Sequence, residues 1–353
     1  MAFNFINEQL AARHQQGLYR CSTTMSGTQG RLLSAADKTY LNFSSNDYLG
    51  LAADPQLIKA WQKGAELFGI GSGGSYLVTG FNQAHQVLCD QLKLWLGVEA
   101  VALFSSGYSA NQAIIKLLLK KPDLLFQDKL NHASLMEAGL LSDCKMRRFK
   151  HNDLGDLDSL LNNSRASDAN KLIISEGVFS MDGDTSPVNA LHATAKEHDA
   201  WLMIDDAHGL GVLGENGKGS AVACGIANHK LQIYMATFGK ALGVGGAFVA
   251  GSEELVNYIN NFSKPYIYST GLPPAMAYTI THAAKMAETQ DWRREKLHLL
   301  IRTFRKTATK LGIRLENSQT AIQPIIIGDS LKTLQIADKL KTLGFWTTAI
   351  RPP

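Results

Sequence analysis

The 353-residue chain has only four cysteines, Cys21, Cys89, Cys144 and Cys224, too widely spaced for any C-x-x-C pair. Neither a disulfide framework nor a zinc site is indicated, and a reducing cytoplasm fits best. Long apolar runs are missing too. None approaches the roughly 18 residues of a membrane span. The opening MAFNFINEQLAARHQQGLY mixes charged and polar residues where a signal peptide would carry an apolar core. A soluble protein with no membrane partner is expected. Charge of one sign is not in excess either: 35 basic against 31 acidic residues leave a formal +4, too balanced to argue for nucleic acid as a partner. The densest basic run, Lys145-Met146-Arg147-Arg148-Phe149-Lys150, reads as a solvated strand or loop edge. No internal repeat or low-complexity linker divides the chain.

What is present is 45% apolar residues, enough for a sizeable core, in a chain long enough for a large α/β domain with a smaller companion. The first segment reads as a short amphipathic helix with Phe5, Leu10 and Ile6 on one side, packed against the body or a partner subunit. Residues 85–96 place Leu88, Leu92, Trp95 and Leu96 on one helical face, and Gly97 stops that helix. Short apolar runs at 101–104, 171–175, 201–204, 231–237 and 246–250 read as buried strands, with helices after Ser105-Ser106-Gly107-Tyr108 and over about 188–198. The free N–H groups at the first of those helix starts suit a phosphate. Such alternation implies a mostly parallel sheet sandwiched by helices. A long helical pattern over 275–311 bridges to a second domain starting near 312, with AIQPIII (321–327), a helix over 331–343 and FWTTAI (345–350).

The chemistry concentrates at two strand ends. WLMI (201–204) delivers Asp205 and His208 at its carboxyl end, and Lys240 lies just past the end of LQIYMAT in a glycine-flanked loop. Open α/β sheets bind ligands at that edge. Pyridoxal 5′-phosphate (PLP) needs a lysine amine as covalent anchor and an anion beside its pyridine nitrogen, which Lys240 and Asp205 can supply. Taken singly, Asp205 reads as a turn cap and Lys240 as a solvated lysine; it is their joint placement at strand ends that points to the cofactor. Gly69-Ile70-Gly71-Ser72-Gly73-Gly74 satisfies G-x-G-x-x-G by letter, but a helical pattern precedes it and YLVTG after it opens no helix. The loop is therefore read as allowing close backbone approach rather than as a dinucleotide site.

Several ordered motifs together carry a family resemblance. They are Asn42-Phe43-Ser44-Ser45-Asn46-Asp47-Tyr48-Leu49-Gly50, the Gly71–Ser75 loop, Ser106-Gly107-Tyr108, Asn131-His132-Ala133-Ser134, Glu176–Gly183, Asp205–Gly211 and Thr237–Lys240. The chain resembles the α-oxoamine synthases, PLP enzymes of fold type I, over nearly its whole length. The resemblance is closest to the branch that condenses L-alanine with a pimeloyl thioester, which the Arg147–Asp153 run and the TAIRPP ending (348–353) also look like.

The resemblance implies a decarboxylating condensation with pimeloyl-CoA or a pimeloyl-carrier protein as donor, and a homodimer with shared active sites. It implies an N-terminal arm over 1–45, a large PLP-binding domain over 46–285 and a small, apparently truncated C-terminal domain over 286–353. In the family pattern His132 stacks on the pyridine ring, although a histidine before Ala-Ser also reads as a helix cap. Gly107 and Tyr108 match the phosphate-cradling turn, and Thr237 a hydroxyl on the same phosphate. Ser180 and His208 match the pair near the phenolic oxygen, and Asp205 and Lys240 keep the roles above. Arg20, Asn46 and Glu176 match substrate-contacting positions; the plain alternatives are a surface arginine, a turn asparagine and a strand-end acid. Ser269 and Thr270 match a loop reaching the neighbouring subunit's phosphate. The family continues past the Ile-Arg-Pro-Pro motif with a threonine and a carboxylate-binding arginine that this chain does not contain. That departure keeps open a PLP-holding form without turnover, beside a sister activity on glycine and acetyl-CoA.

Overall fold

The computed structural model describes residues 2–164 and 168–351; the two prolines that close the TAIRPP run lie outside them. The chain opens with α1 (Phe5–Gln15) and a hairpin of β1 (Leu32–Ala35) and β2 (Lys38–Asn42). Then α2 (Pro55–Phe68) starts on Asp54, whose side chain accepts the Gln56 N–H, with proline at a helix start where no N–H is needed. A single π turn (Tyr76–Gly80) leads into α3 (Gln83–Leu96), which stops at Gly97 in the left-handed region, φ 66°.

The alternating core follows as β3 (Ala100–Phe104), α4 (Gly107–Leu118), β4 (Leu124–Asp128), α5 (Ala133–Leu140), β5 (Lys145–Phe149) and α6 (Leu154–Asn162). It continues through β6 (Lys171–Glu176), α7 (Val188–Glu197), β7 (Trp201–Asp205), the short α8 (Ser220–Ala223), β8 (Ile233–Thr237) and β9 (Ala247–Gly251). Helices α9 (Glu253–Phe262), α10 (Lys264–Ile267), α11 (Pro274–Thr289), α12 (Asp291–Lys310) and α13 (Ser330–Thr342) lead to the two-residue β10 (Phe345–Trp346).

Among the described residues the central sheet has seven strands in the order β3-β9-β8-β7-β6-β4-β5. Neighbours from β8 to β5 pair in parallel, and only β9 runs against both its partners. Ile173, Ile174, Leu202, Met203, Ile204, Ile233 and Met235 are fully buried, as continuous apolar runs covered on both faces must be. Parallel register brings the last residues of four adjacent strands to one edge: Asp128, Glu176, Asp205 and Thr237. A second sheet, β1-β2-β10, joins the N-terminal arm to the C-terminal segment, with β10 parallel to β2.

The mostly parallel α/β architecture is the one read from the sequence. Three local expectations change. Helix α1 buries none of its residues, and Phe5, Ile6 and Leu10 are exposed, because three large apolar side chains in three turns make no continuous stripe. YLVTG, read as opening no helix, forms a single π-helical turn. The 275–311 pattern is two helices, since Gln290 leaves helical geometry at φ −99°, ψ 68°.

Just past β7, Asp206 is fully buried, and its Oδ2 accepts the Ser220 N–H and the Tyr234 hydroxyl, both at 2.8 Å. A Cβ on Gly177, Gly209 or Gly219 would stand 2.2, 2.1 or 2.0 Å from its carboxylate oxygens, so glycine is required around it. Burial raises this carboxyl from 3.8 to about 6, against the opposing hydrogen bonds from Ser220 and Tyr234. A raised folded-state value means that its contribution to stability is complete below 3.8 and lost as pH climbs through about 6. The loss is on the order of 3 kcal/mol. In Asp206→Asn, melting temperature should decline less between about pH 4 and pH 6 than in the wild type; parallel melting curves against pH would count against this account.

Candidate active site

The strand-end edge holds a cavity of about 180 Å³. Gly107, Tyr108 and Asn111 line it from α4, and His132 and Ser134 from the start of α5. Glu176 comes from β6, Asp205 and Ala207 from β7 and just beyond, Met235 and Thr237 from β8, and Lys240 from the loop to β9. A larger open hollow of about 690 Å³ against β2 and α13 shares none of these residues.

Each group reaches the cavity for a local reason. Ser106 caps α4 by accepting the Ser109 N–H, leaving first-turn N–H groups beside Gly107, where no side chain covers the backbone. His132 caps α5, its Nδ1 accepting the Ser134 N–H at 3.2 Å, so the helix-cap reading and the cavity position hold together. Asp205 is 4% exposed; its Oδ1 accepts the Ala207 N–H at 3.1 Å and its Oδ2 the Asn111 amide at 2.8 Å. The Lys240 amine lies 2.6 Å from His208 Nε2, and the Tyr48 hydroxyl lies 2.7 Å from His208 Nδ1.

The electrostatics follow from burial. His208 is held down to about 3 by burial, then by the Lys240 charge and His132, so its ring is neutral and Nε2 accepts from Lys240. Burial also lowers Lys240, against the pull of Asp205 and Glu176. Glu176 is raised well above the carboxylate range by burial and by the neighbouring Asp205 charge, opposed by Lys240 and by the N–H groups of His132 and Ser180.

Of the residues named from sequence, Gly107, Tyr108, His132, Glu176, Asp205, Thr237 and Lys240 line the cavity, with His208 and Ser180 touching its members. Thr237 Oγ1 donates to the Gly246 carbonyl at 2.8 Å. Asn46 is one step out, accepting from Tyr48 at 3.2 Å. Arg20, Ser269 and Thr270 are exposed and do not line this cavity; Thr270 forms a β-bridge with Ser75. Sequence reasoning missed Asn111, Ser134 and Tyr48. Asn111 had a signal, for it stands four residues after Gly107, on the same helical face.

The family model for aminotransferase class I and II matches residues 38–353. The chain belongs to that family. An 8-amino-7-oxononanoate synthase of Photobacterium profundum is 50% identical over 357 residues, covering 99% of this chain and 88% of that protein. A serine palmitoyltransferase from S. paucimobilis with bound PLP–myriocin superposes with TM-score 0.93 at 27% identity, covering 99% of this chain and 89% of that one. A crystal structure of 8-amino-7-oxononanoate synthase from Francisella tularensis gives 0.78 at 29% identity, covering 89% of each chain.

The cavity of this family member fits a PLP-sized anion carrier by its own chemistry. It combines a half-buried primary amine, a buried carboxylate and an uncovered helix N-terminus, and Asn111 Oδ1 and Glu176 Oε1 are buried there without a hydrogen-bond partner. Two outcomes are expected. Lys240→Ala should leave no borohydride-fixed cofactor while circular dichroism stays wild-type; persistent fixation would remove Lys240 as the anchor. Asn111→Leu deletes a donor to a buried carboxylate, a loss of about 1–3 kcal/mol, and should slow α-proton exchange of the amino-acid substrate roughly 10- to 100-fold. Exchange at the wild-type rate would show that Asp205 does not depend on Asn111.

Proposed function

We propose that this chain catalyses the PLP-dependent decarboxylating condensation of L-alanine with a pimeloyl thioester, giving 8-amino-7-oxononanoate, carbon dioxide and the free thiol carrier, as a step of biotin biosynthesis. The observation that carries the reading is the half-buried Lys240 amine, 2.6 Å from a neutral His208 and sharing its cavity with Glu176 and Asp205. The 50% identity to an 8-amino-7-oxononanoate synthase over nearly all of this chain supports the substrate pair.

In this reading Lys240 would be the covalent anchor, Asp205 would partner the ring nitrogen and His132 would contact the ring. The start of α4 at Gly107 and Tyr108, together with Thr237, would hold the phosphate, and Ser180 and His208 would serve the phenolic oxygen. When bound, PLP supplies an electron sink for the negative charge left on alanine's α-carbon. The chain's own groups do the proton work. Burial makes the Lys240 amine give up its proton more readily than a solvated lysine, which suits Nζ to take the α-proton. His208 accepts a Lys240 N–H at Nε2, so its own proton sits on Nδ1, facing the Tyr48 hydroxyl at 2.7 Å. Tyr48 in turn donates to Asn46, and this chain of bonds aims the lysine. Glu176, whose protonated form burial favours, can in that form donate a hydrogen bond to a substrate oxygen without repelling a carboxylate.

Arg20 and Asn46 complete the substrate contacts in this reading, and the arginine fork suits a carboxylate. The enzyme is taken as a cytoplasmic homodimer whose exposed Ser269 and Thr270 serve the other subunit's phosphate. Its arm is taken as 1–45, its cofactor domain as 46–285 and its small domain as 286–353. No described helix is long and apolar enough to cross a membrane.

The deciding measurement is thiol release by the purified chain with PLP, L-alanine and pimeloyl-CoA, with product mass, beside glycine and acetyl-CoA. Alanine-dependent release with the amino-oxononanoate mass is expected, and release only with glycine and acetyl-CoA would overturn the substrate assignment. Asp205→Asn should keep the fixed cofactor yet lower turnover by roughly 10²-fold or more.

A further inference from the structure

Two walls of the cavity are joined by a side chain that lies outside it. Strand β4 ends at Asp128, whose carboxylate accepts the Leu130 and Asn152 N–H groups, each at 2.8 Å, and so shapes the turn that delivers His132. Strand β6 ends at Glu176, after which the chain folds back on itself: Val178 bridges Thr185, and the Phe179 N–H donates to the Asp184 carbonyl at 3.0 Å. Ser180 rides in that hairpin.

His151, just past β5, stands between the two. Its Nδ1 is 3.0 Å from Asp128 Oδ1 and its Nε2 is 2.8 Å from Asp184 Oδ2. A carboxylate at each ring nitrogen calls for a proton on both. Burial alone would lower the pKa of this histidine, but the hydrogen bonds and charges of Asp128 and Asp184 outweigh it and raise it. The ring also meets Phe179 edge-on, with centroids 4.4 Å apart at 88°. Asn152 reinforces the same link, donating its side-chain amide to Asp184 at 3.0 Å. At the far side of the hairpin, the Gly183 carbonyl accepts the Ser318 and Thr320 hydroxyls, each at 2.9 Å.

We infer that His151 is a positioning residue: as an imidazolium clamped by Asp128 and Asp184, it locks the hairpin carrying Ser180 against the turn carrying His132 and so sets the width of the cavity between Glu176 and His132. His151 does not line the cavity and touches no reacting atom. The inference rests on the reaction proposed above, read through its alanine half.

The test is deuterium washout from α-deuterated alanine by the holoenzyme, which needs no acyl donor, run beside thiol release and borohydride fixation of the cofactor. His151→Gln retains donors in one direction only and no charge, and Asp184→Asn removes the carboxylate. Each should lower kcat for washout roughly 10²-fold, since an ångström of misplacement costs about that much. KM for alanine, fixed cofactor and melting temperature should stay close to wild type, a split that general destabilisation would not give. The double variant should lose no more than either single, because both break one clamp. Wild-type kcat in His151→Gln, additive losses in the double, or losses that follow cofactor content would overturn the inference. Should His151→Gln not fold, Asp184→Asn carries the same expectation. Wild-type washout without thiol release would overturn the pimeloyl reading while the variants still decide the clamp; a wild type without washout would overturn both.

Discussion

An ammonium group and two carboxyl groups share one cavity, and the fold is arranged so that none of them meets the low-dielectric interior unanswered. An isolated buried charge is costly, whereas a charge with a placed partner or hydrogen bond is tolerated. Asp205 has Asn111 and the Ala207 N–H, and Lys240 has His208. Glu176 is answered differently, since burial and its neighbour's charge raise its pKa and favour its protonated form. The pairing is a matter of strand register: Glu176 and Asp205 are direct partners across β6 and β7, and Asp205 pairs with Met235 on β8. A slip of one residue in any of these ladders would turn a functional side chain to the other face of the sheet. The apolar strands therefore serve the site by holding a few polar ends in step.

The consecutive aspartates show how tightly that arrangement is built. Asp205 faces the cavity, while Asp206 is buried against Ser220 and Tyr234 and organises the turn that carries His208. Gly209 and Leu210 both donate to the Asp206 carbonyl, and Gly177, Gly209 and Gly219 have no room for a side chain beside its carboxylate. Burying a second acid so close to the first costs stability at neutral pH, as its raised pKa records. In return the turn has little freedom, and a hydrogen-bond chain from Lys240 through His208 and Tyr48 to Asn46 needs that rigidity.

The parts legible in the sequence were those in which period and punctuation agree. Buried strands are unbroken apolar runs, α3 shows its buried face and its glycine stop, and Asp205 and Lys240 stand where strands end. Illegible parts depend on contacts between distant segments. Asn111 reads as one more polar residue in α4 until β7 brings Asp205 to it, and Tyr48 reads as an aromatic in a loop until His208 arrives 160 residues later. The sheet of β1, β2 and β10 could not be read at all, because β10 is two residues long and its partner lies near the other end of the chain. Helix α1 misled for the opposite reason: its apolar letters are few, and none of them is buried.

Residues beyond 290 bear on the surroundings of the cavity through definite contacts. Strand β2 continues into the segment of Asn46, Asp47 and Tyr48, and Arg293 at the start of α12 holds that segment by donating to the Leu49 carbonyl and to Asp54. On the other side, Ser318 and Thr320 grip the Gly183 carbonyl of the hairpin that carries Ser180. The two segments that flank the cavity's residues from outside the central sheet are thus both anchored by residues beyond 290, and each anchor is a hydrogen bond to a backbone carbonyl or a short ion pair. Backbone carbonyls keep their place whatever the side chain beside them, so this attachment fixes the path of the chain and leaves the cavity-facing side chains free to do chemistry.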